Sequence, residues 1–221
     1  FSLSRPKDQR YQSLSMIFGA EGLRVQDRND FVPHALAASL RDWLGVSLIG
    51  GSLQDLRFAY NGHTKFGDNR SSKRIELQTF FENIRVDYMP DWPSVFGANG
   101  EFHLKGLTTH IQIEEAKTLD IKGVSGNVRI DNEELQLQSD LSFTGSSQSI
   151  FSFIRESPIR EELDFFAEDW RGAGDVTAEL DFSFALNDFD VEGLSLSIDF
   201  RSDDFGLNIP GYGLDFKSLN G

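Results

Sequence analysis

The 221-residue sequence contains no cysteine. That removes disulfide frameworks, thiolate metal sites and cysteine nucleophiles from consideration. Histidine is scarce too: His34, His63, His103 and His110 are the full set, and their spacing matches no metal-ligand pattern. Cationic side chains are few, with 21 Lys and Arg against 35 Asp and Glu, for a formal charge of -14. So acidic a chain lacks the basic footprint that a nucleic-acid backbone requires, and it gains nothing from docking on an anionic membrane surface. No run of about 18 apolar residues occurs, so no segment reads as a membrane-spanning helix. Phe1 is not followed by the basic-then-apolar pattern of a secretory leader. Nucleophile elbow, P-loop and dinucleotide fingerprints are also missing.

Phenylalanine is in excess. The chain has 20 Phe, against three Trp and four Tyr, so hydrocarbon aromatic surface is used heavily. The length suits one large all-β domain or two small ones and is ample for a buried core. The pattern starts and stops abruptly, as expected of a fragment of a longer chain.

Residues 1–88 are expected to hold strands and one amphipathic helix. Ser13–Phe18 and Gly22–Val25 read as short strands. Asn29 or Asp30 before Phe31-Val32-Pro33 reads as a helix entry. Leu36, Leu40, Trp43 and Leu44 then fall at i, i+4, i+7 and i+8, an apolar stripe on a helix over about 31–45. Leu53, Leu56, Phe58 and Tyr60 resume extended structure, and Ile75, Leu77, Phe80-Phe81 and Ile84–Tyr88 follow a polar loop that carries an Asn69-Arg70-Ser71 sequon. Trp92 stands between Pro90 and Pro93, which forbid helix and push the backbone toward a turn. This element reads as a structural corner.

Residues 89–221 read as a β-meander, continuous with the first segment in one domain. Phe102 and Leu104 alternate with Glu101, His103 and Lys105. Ile111 and Ile113, Leu119 and Ile121, Val128 and Ile130, Leu135 and Leu137, then Leu141 and Phe143 continue at antiparallel spacing, with turns expected at Gly106, Lys122-Gly123 and Asp131-Asn132. Two short helices are expected within about 147–169: Ile150, Phe151, Phe153 and Ile154 suit the first, and Ser157-Pro158 starts the second, with Leu163, Phe165 and Phe166 on its apolar side. The strongest alternation runs from Val176 to Leu186, roughly 36 Å of strand at about 3.3 Å per residue. Leu194–Phe200, Phe205–Ile209 and Leu214-Phe216 repeat it.

Strict period-2 alternation gives a sheet with one apolar and one wet face. Each large apolar side chain left bare forgoes roughly 1.5–3 kcal/mol, so the apolar face needs a cover. A second sheet would make a sandwich. Three short helices are too few to cover ten or more strands. The third possibility is an occupant that is not protein, lying in a groove on a curved sheet. The residues that would floor such a groove, by shared phase, are Phe102, Leu104, Ile111, Ile113, Val128, Ile130, Leu135, Leu137, Leu141, Phe143, Leu180, Phe182, Phe184, Leu196, Ile198 and Phe200. The expected fold is therefore mainly β: a long, curved, mostly antiparallel sheet with an apolar groove and a few short helices.

Candidate chemistry is thin. Asp188-Phe189-Asp190-Val191-Glu192-Gly193 opens like a calcium loop, but a strand pattern follows it and its twelfth position is Asp199. A hairpin turn with solvated carboxylates is the plainer reading. His103 and His110 fall on the outward, polar phase and read as surface residues. Paired carboxylates (Glu114-Glu115, Glu133-Glu134, Glu161-Glu162, Asp203-Asp204) are expected on wet faces. An all-β carbohydrate-active enzyme could keep its acids there, so that alternative stays beside a closed-sandwich adhesion module. No catalytic residue, metal or cofactor is assigned.

Several segments carry a resemblance. They are Phe31-Val32-Pro33 leading to Leu40-Arg41-Asp42-Trp43-Leu44, Gly51–Arg57, Val86–Pro93 around Trp92, Gly100–Leu104, and Ser152–Pro158. In this order and spacing the stretch from Phe31 to Gly174 resembles the AsmA-like family of bacterial envelope proteins. The resemblance implies a long bent β-sheet with a continuous apolar groove, anchored in the inner membrane by a segment absent from this chain and reaching across the periplasm. It implies bridge-like transfer of phospholipid toward the outer membrane, in support of its barrier. The implied partners are phospholipid acyl chains, flanking segments of the same long chain and unidentified partners at either membrane. The family supplies no catalytic residues.

Overall fold

The computed structural model describes residues 2–4, 13–28, 38–63, 74–163, 166–185 and 195–219. The strands are β1 (Ser2–Ser4), β2 (Ser13–Ala20), β3 (Leu23–Arg24), β4 (Leu48–His63), β5 (Arg74–Val86), β6 (Val95–Lys105), β7 (Thr108–Thr118), β8 (Ile121–Asp131), β9 (Gln136–Ser146), β10 (Arg171–Ala173), β11 (Asp175–Ala185), β12 (Ser195–Arg201), β13 (Phe205–Ile209) and β14 (Leu214–Leu219). The α-helices are α1 (Ala38–Ser47), α2 (Ser147–Arg155) and α3 (Ile159–Glu162). The fold is mainly β, as the alternation requires.

One sheet runs β1-β2-β4-β5-β6-β7-β8-β9-β11-β12, with β3 paired to β4 off that path. Each pairing in it is antiparallel. Ten strands in this order form an open sheet. A second sheet, β10-β13-β14, has three strands. It extends the β11–β12 ladder past an interruption at Gly174, where φ is +88° and an added Cβ would fall 1.8 Å from the Asp204 carbonyl oxygen. Three strands cannot cover ten, so the sandwich alternative has no second layer among the described residues.

The long alternation from Val176 reappears as the 11-residue β11. The turns are less regular than expected. Lys122-Gly123 lies inside β8, and the β7–β8 hairpin instead turns at Leu119-Asp120, with Leu119 at φ +47°. Alternation alone put Leu119 and Ile121 on one strand; the chain reverses between them. Leu135, expected in phase with Leu137, sits in the turn before β9 at φ +52°. Leu163 follows the single turn of α3 rather than lying on a helix face. Phe31-Val32-Pro33, Leu36, the sequon, Phe165 and Asp188–Gly193 lie outside the described residues.

Register shifts cross four neighbouring strands. They occur at Gln54/Arg57 on β4, Phe81/Ile84 on β5, Asn99/Gly100 between β6 and β7, and Ile113/Ala116 between β7 and β8. Such bulges bend a strand and increase its twist. Asp55 and Asn83 take positive φ at the same level. Beyond this line, toward the ends of the strands that carry α1 and α2, lies the core: Val25, Ile84, Ala98, Ala116, Ile121, Val124, Phe143 and Ile150.

Candidate functional site

In an antiparallel sheet, directly paired residues present their side chains on the same face. The register therefore assembles the apolar face row by row. Phe58, Leu77, Leu104, Thr109, Ile130, Leu137 and Phe184 form one row across β4 to β11. Thr79, Phe102, Ile111, Val128, Ser139, Phe182 and Leu196 form the next. Phe81, Gly100, Ile113, Gly126, Leu141, Leu180 and Ile198 form the third. Val124, Phe143, Ala178 and Phe200 begin a fourth. The eight strands from β4 to β12 span roughly 34 Å at about 4.8 Å per strand.

Thirteen of the sixteen residues singled out by phase thus share this face, Phe184 and Leu196 occupy matching strand positions, and Leu135 is the exception. For Phe184 and Leu196 only the strand position is described. Sequence reasoning missed the contribution of β2, β4 and β5: Phe18, Phe58 and Leu77 extend the same face, through Phe18 paired to Phe58 and Phe58 to Leu77. Their alternation was legible over Leu56–Tyr60 and Ile75–Leu77. Phe81 keeps that phase and faces the core while Phe80 faces the solvent; between Phe81 and Ile84 a bulge switches the phase, so that Ile84 joins the core.

Among the described residues, cover is confined to one margin. Ser146 caps α2 by accepting the Ser149 amide at 3.1 Å, a standard way to satisfy a first-turn donor. The Ser147 hydroxyl donates to the Ala173 and Gly174 carbonyl oxygens, at 2.9 and 2.8 Å, and pins the helix start. Ile150, Phe153 and Ile154 then fall at i, i+3 and i+4 on one helix face and pack on the sheet core. The Phe153 ring lies 6.2 Å from Phe143 and 6.2 Å from Trp92, which in turn is 6.0 Å from Tyr88. Beneath this plug Ala116 and Ile121 are 0% and 1% exposed. Away from it Phe102, Leu104, Ile111, Val128, Ile130, Leu137 and Phe182 are half-buried, and Phe200 is 52% exposed.

Trp92 is half-buried in the turn between β5 and β6, with Pro90 exposed and Pro93 buried. Its Nε1 has no hydrogen-bond partner among the described residues. Burial raises the Tyr88 hydroxyl pKa well above the ordinary tyrosine range, so it stays neutral. The Ser139 hydroxyl, in the middle of the second apolar row, is buried and has no hydrogen-bond partner among the described residues.

The opposite face is polar. His103 and His110 are direct cross-strand partners on it, and His103 Nε2 lies 3.2 Å from a Glu76 carboxylate oxygen. A depression of about 600 Å³ opens on this face over β6 to β11. Among the described residues no group of three or more His, Asp or Glu could hold a metal ion, and no helix is long and apolar enough to cross a membrane.

Fold and site together define an open antiparallel β-sheet protein whose one apolar face is, among the described residues, plugged along a single margin and uncovered elsewhere. The chain belongs to the YhdP family, whose model matches residues 1–221. It is 22% identical over 169 residues to the intermembrane phospholipid transporter YhdP of Escherichia coli strain K12, an alignment covering 71% of this chain and 13% of that protein. The chain therefore spans a small part of the length of this curated relative, which is named as a transporter. No solved structure matches it.

Proposed function

We propose that this chain carries phospholipid acyl chains on the apolar face of its sheet, as one segment of a periplasmic bridge between inner and outer membrane that maintains the outer-membrane barrier. The observation that carries the reading is the set of in-register apolar rows, half-exposed across eight strands and covered, among the described residues, at one margin only. Acyl tails lie across the strands on the floor from Phe102 to Phe200, and headgroups stay in water at the open margin. Each methylene removed from water contributes about 0.8 kcal/mol, so a tail in contact over much of its length is held without any polar anchor. The process is passive, with no catalytic residue or cofactor. Further partners are flanking segments of a longer chain and proteins at the two membranes; nucleic acid is not among them. The relative's printed name and the family membership support the cargo class.

The test is native mass spectrometry of the chain purified from bacterial membranes, together with displacement of a fluorescent fatty acid. Co-purifying phospholipid, and fluorophore binding abolished in Phe182→Asp, are the expected results. A lipid-free chain that also fails to bind the fluorophore would refute the reading.

A further inference from the structure

The depression on the polar face is a trough between two rows of side chains that the strand register places side by side. Its floor is backbone at Ile111, Val128 and Ser139, whose own side chains point to the apolar face. One wall is rich in donors: His103, His110, Arg129 and Gln138 are successive cross-strand partners. The other wall is rich in acceptors: Glu101, Gln112, Asn127, Asp140 and Asp181 succeed one another in the same way. The trough crosses five strands, roughly 19 Å at about 4.8 Å per strand, and its volume of about 600 Å³ lies within the range of small-ligand sites.

Part of this hydrogen-bonding capacity is unused. His110, Gln112, Arg129 and Asp181 make no side-chain hydrogen bond or ion pair among the described residues, whereas Asn127 donates to Asp140 at 2.9 Å, Gln138 to Gln136 at 3.3 Å and Gln78 to Glu101, and His103 pairs with Glu76. A second, independent feature adjoins the acceptor wall. Phe80 is the cross-strand partner of Glu101, one strand beyond the trough, and is 44% exposed on this face. An exposed aromatic ring beside a row of amides and carboxylates gives an apolar platform next to directional polar groups. Glu101, Asp140 and Asp181 outnumber Arg129, so a polyanion is repelled. The complement of such a surface is elongated and uncharged, donates and accepts along its length, and has apolar C–H faces.

We propose that this trough binds an uncharged polysaccharide strand, independently of the apolar face on the other side of the sheet. The ring of one sugar lies on Phe80, and hydroxyl groups of successive sugars bridge the two walls.

The test is isothermal titration calorimetry of the 221-residue chain with tetramers of N-acetylglucosamine, glucose in β-1,4 linkage and glucose in α-1,4 linkage, with dextran sulfate as the polyanionic comparison. At least one uncharged tetramer is expected to saturate. Its affinity is expected to fall tenfold or more in Gln112→Ala, Asp181→Ala and Phe80→Ala, all at exposed positions, with thermal midpoints and fatty-acid binding unchanged. Failure of every uncharged tetramer to bind at millimolar concentration overturns the proposal. So does binding that the three variants leave intact, or tighter binding of dextran sulfate. Because the apolar face is read out separately, loss of lipid binding in the wild-type chain bears only on the transport reading.

Discussion

A pair of phenylalanines on the same face separates an open floor from a closed core. Phe143 is buried under α2, with Phe153 6.2 Å away. Phe182 is two rows further from the plug and only half-buried. Truncating a fully buried Phe to Ala costs about 3–5 kcal/mol, because the cavity adds to the lost transfer energy. A half-exposed Phe forfeits about half of the transfer energy and leaves a surface dent rather than a cavity, so about 1–2 kcal/mol is expected. At roughly 2–4 °C per kcal/mol for a chain of this size, Phe143→Ala should lower the midpoint by about 10 °C and Phe182→Ala by about 5 °C. Ligand reverses the ranking of the two sites. A lipid present at about 100 times its Kd stabilises the wild-type chain by about 2.7 kcal/mol. Phe182→Asp should lose that increment while its lipid-free midpoint stays close to that of Phe182→Ala. Differential scanning calorimetry with and without a short-chain phosphatidylcholine below its micelle concentration measures all four quantities. If Phe182→Asp unfolds the lipid-free chain as severely as Phe143→Asp, the face is a sealed core and the open floor is wrong.

Gly126 holds φ +140° between Ile113 and Leu141, and an added Cβ would meet the Asp140 carbonyl oxygen at 2.1 Å; Gly126→Ala should therefore cost about 3 kcal/mol or more by urea denaturation, and a change under 1 kcal/mol would show that the strand shifts freely. Trp92 contributes ring contacts and no hydrogen bond among the described residues. Trp92→Phe is accordingly expected to cost about 1 kcal/mol or less and Trp92→Ala about 3 kcal/mol, and equal losses would point to a missed polar role. Asp131 accepts the Glu134 and Glu133 amides at 3.1 and 2.9 Å, which lowers its pKa. Its contribution to the β8–β9 turn is present above the ordinary carboxylate pKa and is lost as pH falls through the lowered one. An NMR titration should place its midpoint below that of an unperturbed aspartate, and a midpoint at or above it would contradict the turn geometry.

How much of this was legible depended on how undisturbed each strand was. The run from Val176 alternates without a break, and β11 follows it residue for residue. The same holds for Phe102-Leu104 and Val128-Ile130, whose inward phase survives because no bulge intervenes. Between Phe81 and Ile84 the pattern is obscured because a bulge adds a residue to one strand and flips every later side chain. That hid how β5 passes from the open face into the core. The Leu119-Asp120 turn was invisible for another reason. It uses leucine at positive φ, where Gly or Asn is the usual choice, so it announces no reversal; the β8–β9 turn was legible at Asp131-Asn132, and only the place of Leu135 inside it was not. The plug was half legible: the apolar stripe of α2 could be read, but not that Phe153 meets both Phe143 and Trp92, a tertiary contact with no local signature.

β9 and β11 pair directly along their whole lengths, from Asp175 with Ser146 to Ala185 with Gln136. Residues 147–174, plug included, are therefore in topological terms an oversized hairpin loop, closed at its neck by the Ser147 amide bonding to the Gly174 carbonyl oxygen at 2.9 Å. Loop-closure entropy changes by only about 0.6 kcal/mol per doubling of length. The part that precedes β10, residues 147–170, can thus lengthen, shrink or be exchanged for another insert without altering the register of a single strand of the ten-stranded sheet. The width of apolar floor left open is in that sense a loop property, adjustable by insertion and deletion, while the strands that form the floor stay where they are.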